Sequence, residues 1–221
     1  MYDLKVYAME KTNKKVLLVL AHPHYEESVA NRALVEAVKG LPGVTVLDLY
    51  APEQNGEAQQ RMLSEADALV FQFPFYWASA PSALKGWIDE IFMAVSMTGK
   101  LAGKRLLVAA TAGSEYDAYR SGGRNRFTMD ELLRPYQFMA HHVAMEWETP
   151  FVVYGMGTPE AEENVREGAE AYRRLLEDFL FFLGERPGKE TPRALGPGTS
   201  RFGRLNEDAP SYCLGSSQRF S

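Results

Sequence analysis

Five short apolar runs, each followed by a segment with helical signals, constrain this chain more than any other feature. Residues 16–21, 44–49, 68–73, 105–110 and 150–154 are rich in Val, Leu and Phe and barely alternate in polarity. A strand with one solvated face alternates, and a strand covered on both faces does not. The runs therefore suit a parallel sheet held between two helix layers. Segments 29–40, 58–65, 81–95, 128–143 and 159–183 read as the covering helices. Leu34, Val35 and Val38 form an apolar stripe on the first, and Gly40 and Pro42 end it. Thr128 to Glu131 has the pattern of a capping box, and Thr158-Pro159 opens an acid-rich first turn. This sustained alternation predicts an α/β fold, a three-layer doubly wound domain with a five-stranded parallel sheet; the strand order expected of such an open sheet is 2-1-3-4-5.

Composition narrows the rest. With 221 residues and 46% hydrophobic content, the chain can bury one sizeable core, placed at residues 16–183. Residues 1–15 read as an N-terminal extension, and the Gly, Pro, Ser and Arg-rich residues 184–221 as an arm or disordered tail. A formal net charge of −5 with no Lys/Arg block argues against nucleic acid and against an anionic membrane surface. Cys213 is the single cysteine, which excludes an intramolecular disulfide and any Cys-rich cluster built from this chain alone. No metal site is expected: His141 and His142 fall at a helix C-terminus, where they suit the dipole. Met93, Met97 and Met129 read as core or interface filler. The N-terminus lacks an apolar signal core, and no apolar run approaches the roughly 20 residues of a membrane span. A soluble, cytoplasmic protein is the expectation.

In the predicted strand order, the tips of strands 1, 3 and 4 are neighbours beside the topological switch point, where open α/β sheets bind ligands. Their loops are the unusual ones. The first carries His22, His24, Ser28 and Asn31 around a helix start whose first turn includes Val29 and Ala30. Unpaired N–H groups and the positive dipole end there suit an anion. No Gly-rich dinucleotide fingerprint is present, so the terminal phosphate of flavin mononucleotide, or a flavin dinucleotide held in another way, fits better than NAD bound in the Rossmann manner. Ser28 would serve equally as a plain helix cap, and Glu26 and Glu27 oppose an anion unless they point to solvent.

The second loop, PFYWASAP, sets Phe75, Tyr76 and Trp77 side by side before Ala78. Three consecutive aromatics cannot all face a core, so a planar heterocycle or a dimer contact accounts for them. The third loop combines Thr111, Ala112, Gly113 and Ser114 with Tyr116, Tyr119 and Asn125. Small residues let the backbone approach a ring edge, and amide donors would stabilise the charge a flavin gains on two-electron reduction. An ordinary surface loop would have a similar composition.

Together the motifs AHPHYEESVANRAL, FQFPFYWASAPSALKGWIDEIF, LAGKRLLVAATAG and AYRSGGRNRFTMDELLRPYQFMAHHVAMEWETPFVVYG resemble the NAD(P)H dehydrogenase (quinone) family. The similarity is to its flavodoxin-like branch, which contains modulator of drug activity B and the ancillary flavoprotein of glutathione-gated potassium efflux. The resemblance implies a three-layer flavodoxin-like fold holding FMN, or alternatively FAD, with NADPH or NADH as co-substrate. It also implies a homodimer with its sites at the interface and ping-pong reduction of quinone-like acceptors. An alternative is a regulatory flavoprotein associated peripherally with a membrane transporter. By position, His22 and Ser28, Val29, Ala30 and Asn31 fall at the family's phosphate site. Phe75, Tyr76, Trp77 and Ala78 fall at the turn that meets the flavin ring, and Thr111, Ala112, Gly113 and Ser114 at the second ring-edge loop. Tyr119 falls at the tyrosine that assists proton and charge transfer, with Tyr116 and Asn125 on the substrate side. The chain departs from the family in having Ala112 and Ser114 where many members read Thr and Gly. Asn125 replaces the histidine of the mammalian enzymes, which argues against an imidazole relay.

Overall fold

A computed structural model describes residues 13–52 and 55–183. Residues 1–12 of the expected extension and the whole expected arm, 184–221, lie outside them. The sheet has strands β1 (Val16–Leu20), β2 (Val44–Asp48), β3 (Ala68–Pro74), β4 (Arg105–Thr111), β5 (Glu146–Trp147) and β6 (Phe151–Val153). All pairings are parallel, in the order β2-β1-β3-β4-β5, with β6 also on β4.

The doubly wound order is as expected, but the fifth position is two strands rather than one spanning residues 150–154. Trp147 pairs with Leu106 and Phe151 with Ala109, so the edge spends four residues where β4 spends three. Pro150 sits in that extra step. It has no N–H to donate, so pairing stops there and resumes one residue out of phase, as at a bulge.

Helices α1 (Ala30–Val38) and α6 (Ala161–Leu183) cover one face. Leu34, Val35 and Val38 of α1, with Tyr172, Leu176 and Phe179 of α6, bury Val16, Leu18, Leu20, Val70 and Leu107. The other face belongs to α2 (Gly56–Glu65), α3 (residues 82–96) and α4 (Met129–Leu132); Leu63, Leu84, Trp87, Phe92 and Leu133 bury Leu17, Val19, Leu69, Phe71 and Val108. Successive strand residues point to opposite faces and both faces are dry, which is why the strands read as continuous apolar runs.

Helix α3 starts at Ser82–Trp87, widens into a π turn over Ile88–Phe92 and ends at Met93–Ser96. The expected helix over residues 128–143 is two. Its Thr128 capping box is present, but the chain leaves α geometry at Leu133 (φ −90°, ψ 0°) and restarts as α5 (Arg134–His142). Pro135 lacks the N–H that an unbroken helix needs there. Met129 is buried as core filler, whereas Met93 and Met97 are exposed and fill no core. His141 and His142 occupy the last turn of α5 as expected. No helix among the described residues is long and apolar enough to cross a membrane.

Candidate functional site

The carboxyl ends of four strands are stitched together by single backbone bonds. Ala21 N–H donates to Gln72 (2.9 Å), Phe75 N–H to Thr111 (2.8 Å) and Ala112 N–H to Val153 (2.8 Å). Above them opens a cleft of about 1020 Å³, bordered by all three sequence-selected loops. Small-molecule sites occupy roughly 300–1,000 Å³, so the cleft has room for a tricyclic cofactor and more.

At one end is the start of α1. The Ser28 hydroxyl accepts the Asn31 N–H at 3.1 Å, so it caps the helix and keeps its own proton available to a ligand. Val29 and Ala30 border the cleft through the first turn, where helix N–H groups lack internal partners. His22 is buried at the cleft wall. Its Nδ1 accepts the His24 N–H at 3.1 Å, which assigns the proton of the neutral ring to Nε2. Burial, reinforced by neighbouring His24, holds the His22 pKa below the ordinary imidazole value, so the ring is a neutral donor.

Behind this end lies a buried polar set that sequence reading did not connect. The Asn31 side-chain amide donates to Thr111 Oγ1 (3.0 Å), and Gln72 Nε2 donates to the Asn31 carbonyl (3.0 Å). All three residues are buried, and Gln72 Oε1 has no hydrogen-bond partner among the described residues. The set joins the α1 start, β3 and the tip of β4. Asn31 therefore serves the cleft from behind as much as from its rim.

At the other end the chain from Tyr76 to Ser79 makes a two-residue turn closed by paired backbone bonds of 2.9 and 3.0 Å. Trp77 and Ala78 both have positive φ, 47° and 62°. That is the geometry of a type I′ turn, normally built from Asn and Gly. The turn presents Trp77 at 101% exposure while Phe75 is buried beneath it. Tyr76 meets the His22 ring edge-on at 6.4 Å.

The third loop reaches the cleft through Thr111 and Gly113. Ala112 is buried below it, and the Ser114 hydroxyl accepts from Arg124 at 3.0 Å. Ala78, Ala112, Ser114, Tyr116, Tyr119 and Asn125 stand beside the cleft rather than in its wall. Tyr119 stacks edge-on against Phe75 (6.1 Å) and tilts against Tyr154 (5.7 Å), which in turn meets Tyr116 at 5.4 Å. Burial pushes the Tyr154 pKa up to about 12, so this neighbour of Tyr119 keeps its proton. Asn125 N–H donates to Ala118, folding the loop back on itself.

Met156, Gly157, Ala161, Glu162 and Val165 also border the cleft, and sequence reading selected none of them. They arrive because the β6 tip lies beside β4. Gly157 N–H donates to Gly113 O at 2.8 Å, and a Cβ on Gly157 would stand 3.2 Å from that same oxygen. The only available signal was the glycine pair of Gly155-Met156-Gly157 following an apolar run. Glu27 and Glu162 are exposed at the rim, and no Lys or Arg among the described residues borders the cleft. Arg120 and Arg124 are engaged elsewhere, by Asp117 (4.0 Å) and by Glu115 (3.3 Å).

A sequence profile described as flavodoxin-like fold matches residues 14–176. The chain is 38% identical over 180 residues to the glutathione-regulated potassium-efflux system ancillary protein KefG of Cronobacter sakazakii, covering 78% of this chain and 97% of that one. The crystal structure of general stress protein 14 from Treponema denticola, in complex with FMN, is similar with a TM-score of 0.66 at 29% identity, over 75% of this chain and 99% of that chain. An NADPH-quinone reductase from P. pentosaceus gives a TM-score of 0.65 at 28% identity, over 73% and 96%.

Proposed function

We infer, for a chain that belongs to the flavodoxin-like fold family, that it is an FMN-dependent NAD(P)H:quinone oxidoreductase. The observation carrying this reading is the convergence of an anion-suited helix start and an aromatic turn on one cleft. The FMN complex of one relative and the NADPH-quinone reductase activity named for another support it. When bound, FMN would supply two-electron transfer from NADPH or NADH to a quinone-like acceptor, in two successive half-reactions of a ping-pong cycle.

The chain's own groups fit this cofactor. Neutral donors at His22 Nε2, the Ser28 hydroxyl and the first-turn N–H groups of Val29 and Ala30 suit a single phosphate, which favours FMN over FAD, with Asn31 holding Ser28 in place from behind. The turn of Phe75, Tyr76, Trp77 and Ala78 offers a flat apolar contact to the ring. The backbone from Thr111 to Ser114 approaches its edge. Tyr119 is assigned the proton-handling role. Tyr154, kept protonated by burial, holds the Tyr119 ring against Phe75. Tyr116 and Asn125, on the same loop, are assigned to the acceptor side. A homodimer would cover the fully exposed Trp77.

The direct test is titration of the purified protein with FMN, followed by mass analysis of any flavin released on heating. Flavin absorbance and stoichiometric FMN are expected; no binding of FMN or FAD overturns the reading. Tyr119→Phe is expected to retain FMN and lower quinone turnover by roughly 10–100-fold. Unchanged turnover removes Tyr119 from the mechanism. A second reading, a regulatory flavoprotein on a potassium-efflux transporter, is favoured by the KefG similarity across 97% of that protein. Co-purification with such a transporter together with negligible quinone turnover would establish it instead.

A further inference from the structure

Turns with two residues at positive φ are ordinarily given to Asn and Gly, because a β-carbon there crowds the backbone carbonyl oxygen. Here Trp77 and Ala78 occupy both positions. Such a turn persists only where its surroundings over-determine it. On its β3 side, the Phe75 N–H bond to Thr111 fixes it to the sheet. On its far side the tie comes from a different layer, helix α5. Ala80 N–H donates to the Tyr136 hydroxyl oxygen at 3.3 Å, and the Ser79 side chain hydrogen-bonds the same oxygen. The Tyr136 ring is set against Phe73 at 5.5 Å and Phe71 at 6.2 Å, so the body of β3 fixes where that oxygen stands. Tyr136 does not border the cleft; it acts on the cleft through the turn.

We propose that Tyr136 is a positioning residue that clamps the strained Trp77–Ala78 turn in the shape that meets the flavin ring. The inference rests on the proposed FMN site and adds to it a residue outside the cleft. Its physical content is that the hydroxyl, not the ring, matters. The ring fills space between α5 and β3, whereas the oxygen fixes the turn's outgoing backbone.

Tyr136→Phe keeps the ring and removes the oxygen. In the apo protein, amide exchange from Tyr76 to Ala80 is expected to accelerate by about tenfold, while amides of β1 and β3 keep their protection. On titration with FMN the variant is expected to bind about five- to tenfold more weakly, with an altered visible spectrum of the bound flavin. Adding Ala78→Gly to Tyr136→Phe should restore most of that affinity, because glycine takes the same φ without a clamp. Wild-type affinity and spectrum in Tyr136→Phe overturn the proposal, as does failure of Ala78→Gly to restore binding. If the wild-type protein itself binds no FMN, the functional reading falls instead. The amide-exchange arm then still decides whether Tyr136 holds the turn.

Discussion

At the α1 end of the cleft, no residue from His22 to Asn31 has a positive φ, and the buried polar groups form a hydrogen-bonded set. At the other end two non-glycine residues sit at positive φ, and the largest side chain of the turn is fully solvent-exposed. The first end is built from interactions the fold needs in any case: a helix cap, a neutral buried imidazole, and an amide bridging β3 and β4. Under the proposed function, binding and stability are therefore coupled there. The second end has two strained residues and an exposed Trp77, so under the proposed function its conformation serves the ligand more than the fold. Substitutions at the two ends should accordingly separate stability from binding.

The largest effect is expected at Asn31. Asn31→Ala leaves the buried Thr111 hydroxyl without its amide donor, while Gln72 Nε2 keeps the backbone carbonyl of residue 31; the change should cost about 2 kcal/mol of stability and weaken FMN binding with it. Urea unfolding monitored beside an FMN titration measures both, and a loss of stability without a loss of affinity would break the coupling.

Next is the pH dependence contributed by His22. Its pKa is lowered in the folded state by burial, so the unfolded chain takes up the proton first as pH falls below 6.5. The stability contribution is full above that value and is lost as pH falls towards the folded pKa, at no more than about 1.4 kcal/mol per pH unit. Thermal unfolding of wild type and His22→Gln across this window should show the slope in the wild type alone; parallel curves would remove His22 from the balance.

Ala78→Gly tests the strained end. It should raise stability by roughly 0.5–1 kcal/mol, since the gain from relieving positive φ exceeds the entropy cost of glycine. With Tyr136 intact, FMN affinity should stay within about twofold, because the clamp still fixes the turn. A fall in melting temperature would show that the turn is not strained. The smallest effect is expected at the rim: Glu162→Gln should tighten FMN binding about twofold at low salt, and the gain should vanish at high salt. A gain indifferent to salt would mean that the carboxylate acts by contact rather than by charge.

The alternation of strands and helices and the chemistry of the three loops were legible because both depend on local sequence. Buried parallel strands must be apolar on both faces, and loops that do not enter the core are free to carry His, Ser, Tyr and Trp. The break at Leu133 and the split of the fifth strand at Pro150 were legible in principle, since each follows from a proline. The cleft residues Met156, Gly157, Glu162 and Val165 were not, because they depend on where β6 pairs along β4. Neither was the turn at Trp77-Ala78, where no glycine marks the positive φ, nor its tie to Tyr136, which lies 56 residues away from Ala80.

The sequence alone determined the alternation of strands and helices, the doubly wound sheet and the family, because periodicity, caps and ordered motifs are local or additive along the chain. Only the tertiary structure decided that Asn31, Gln72 and Thr111 share one buried set, that Ser28 both caps α1 and faces the cleft, and that Tyr136 closes on the turn. Those facts rest on side chains from separate elements meeting at hydrogen-bond distance, a geometry fixed by how the layers pack.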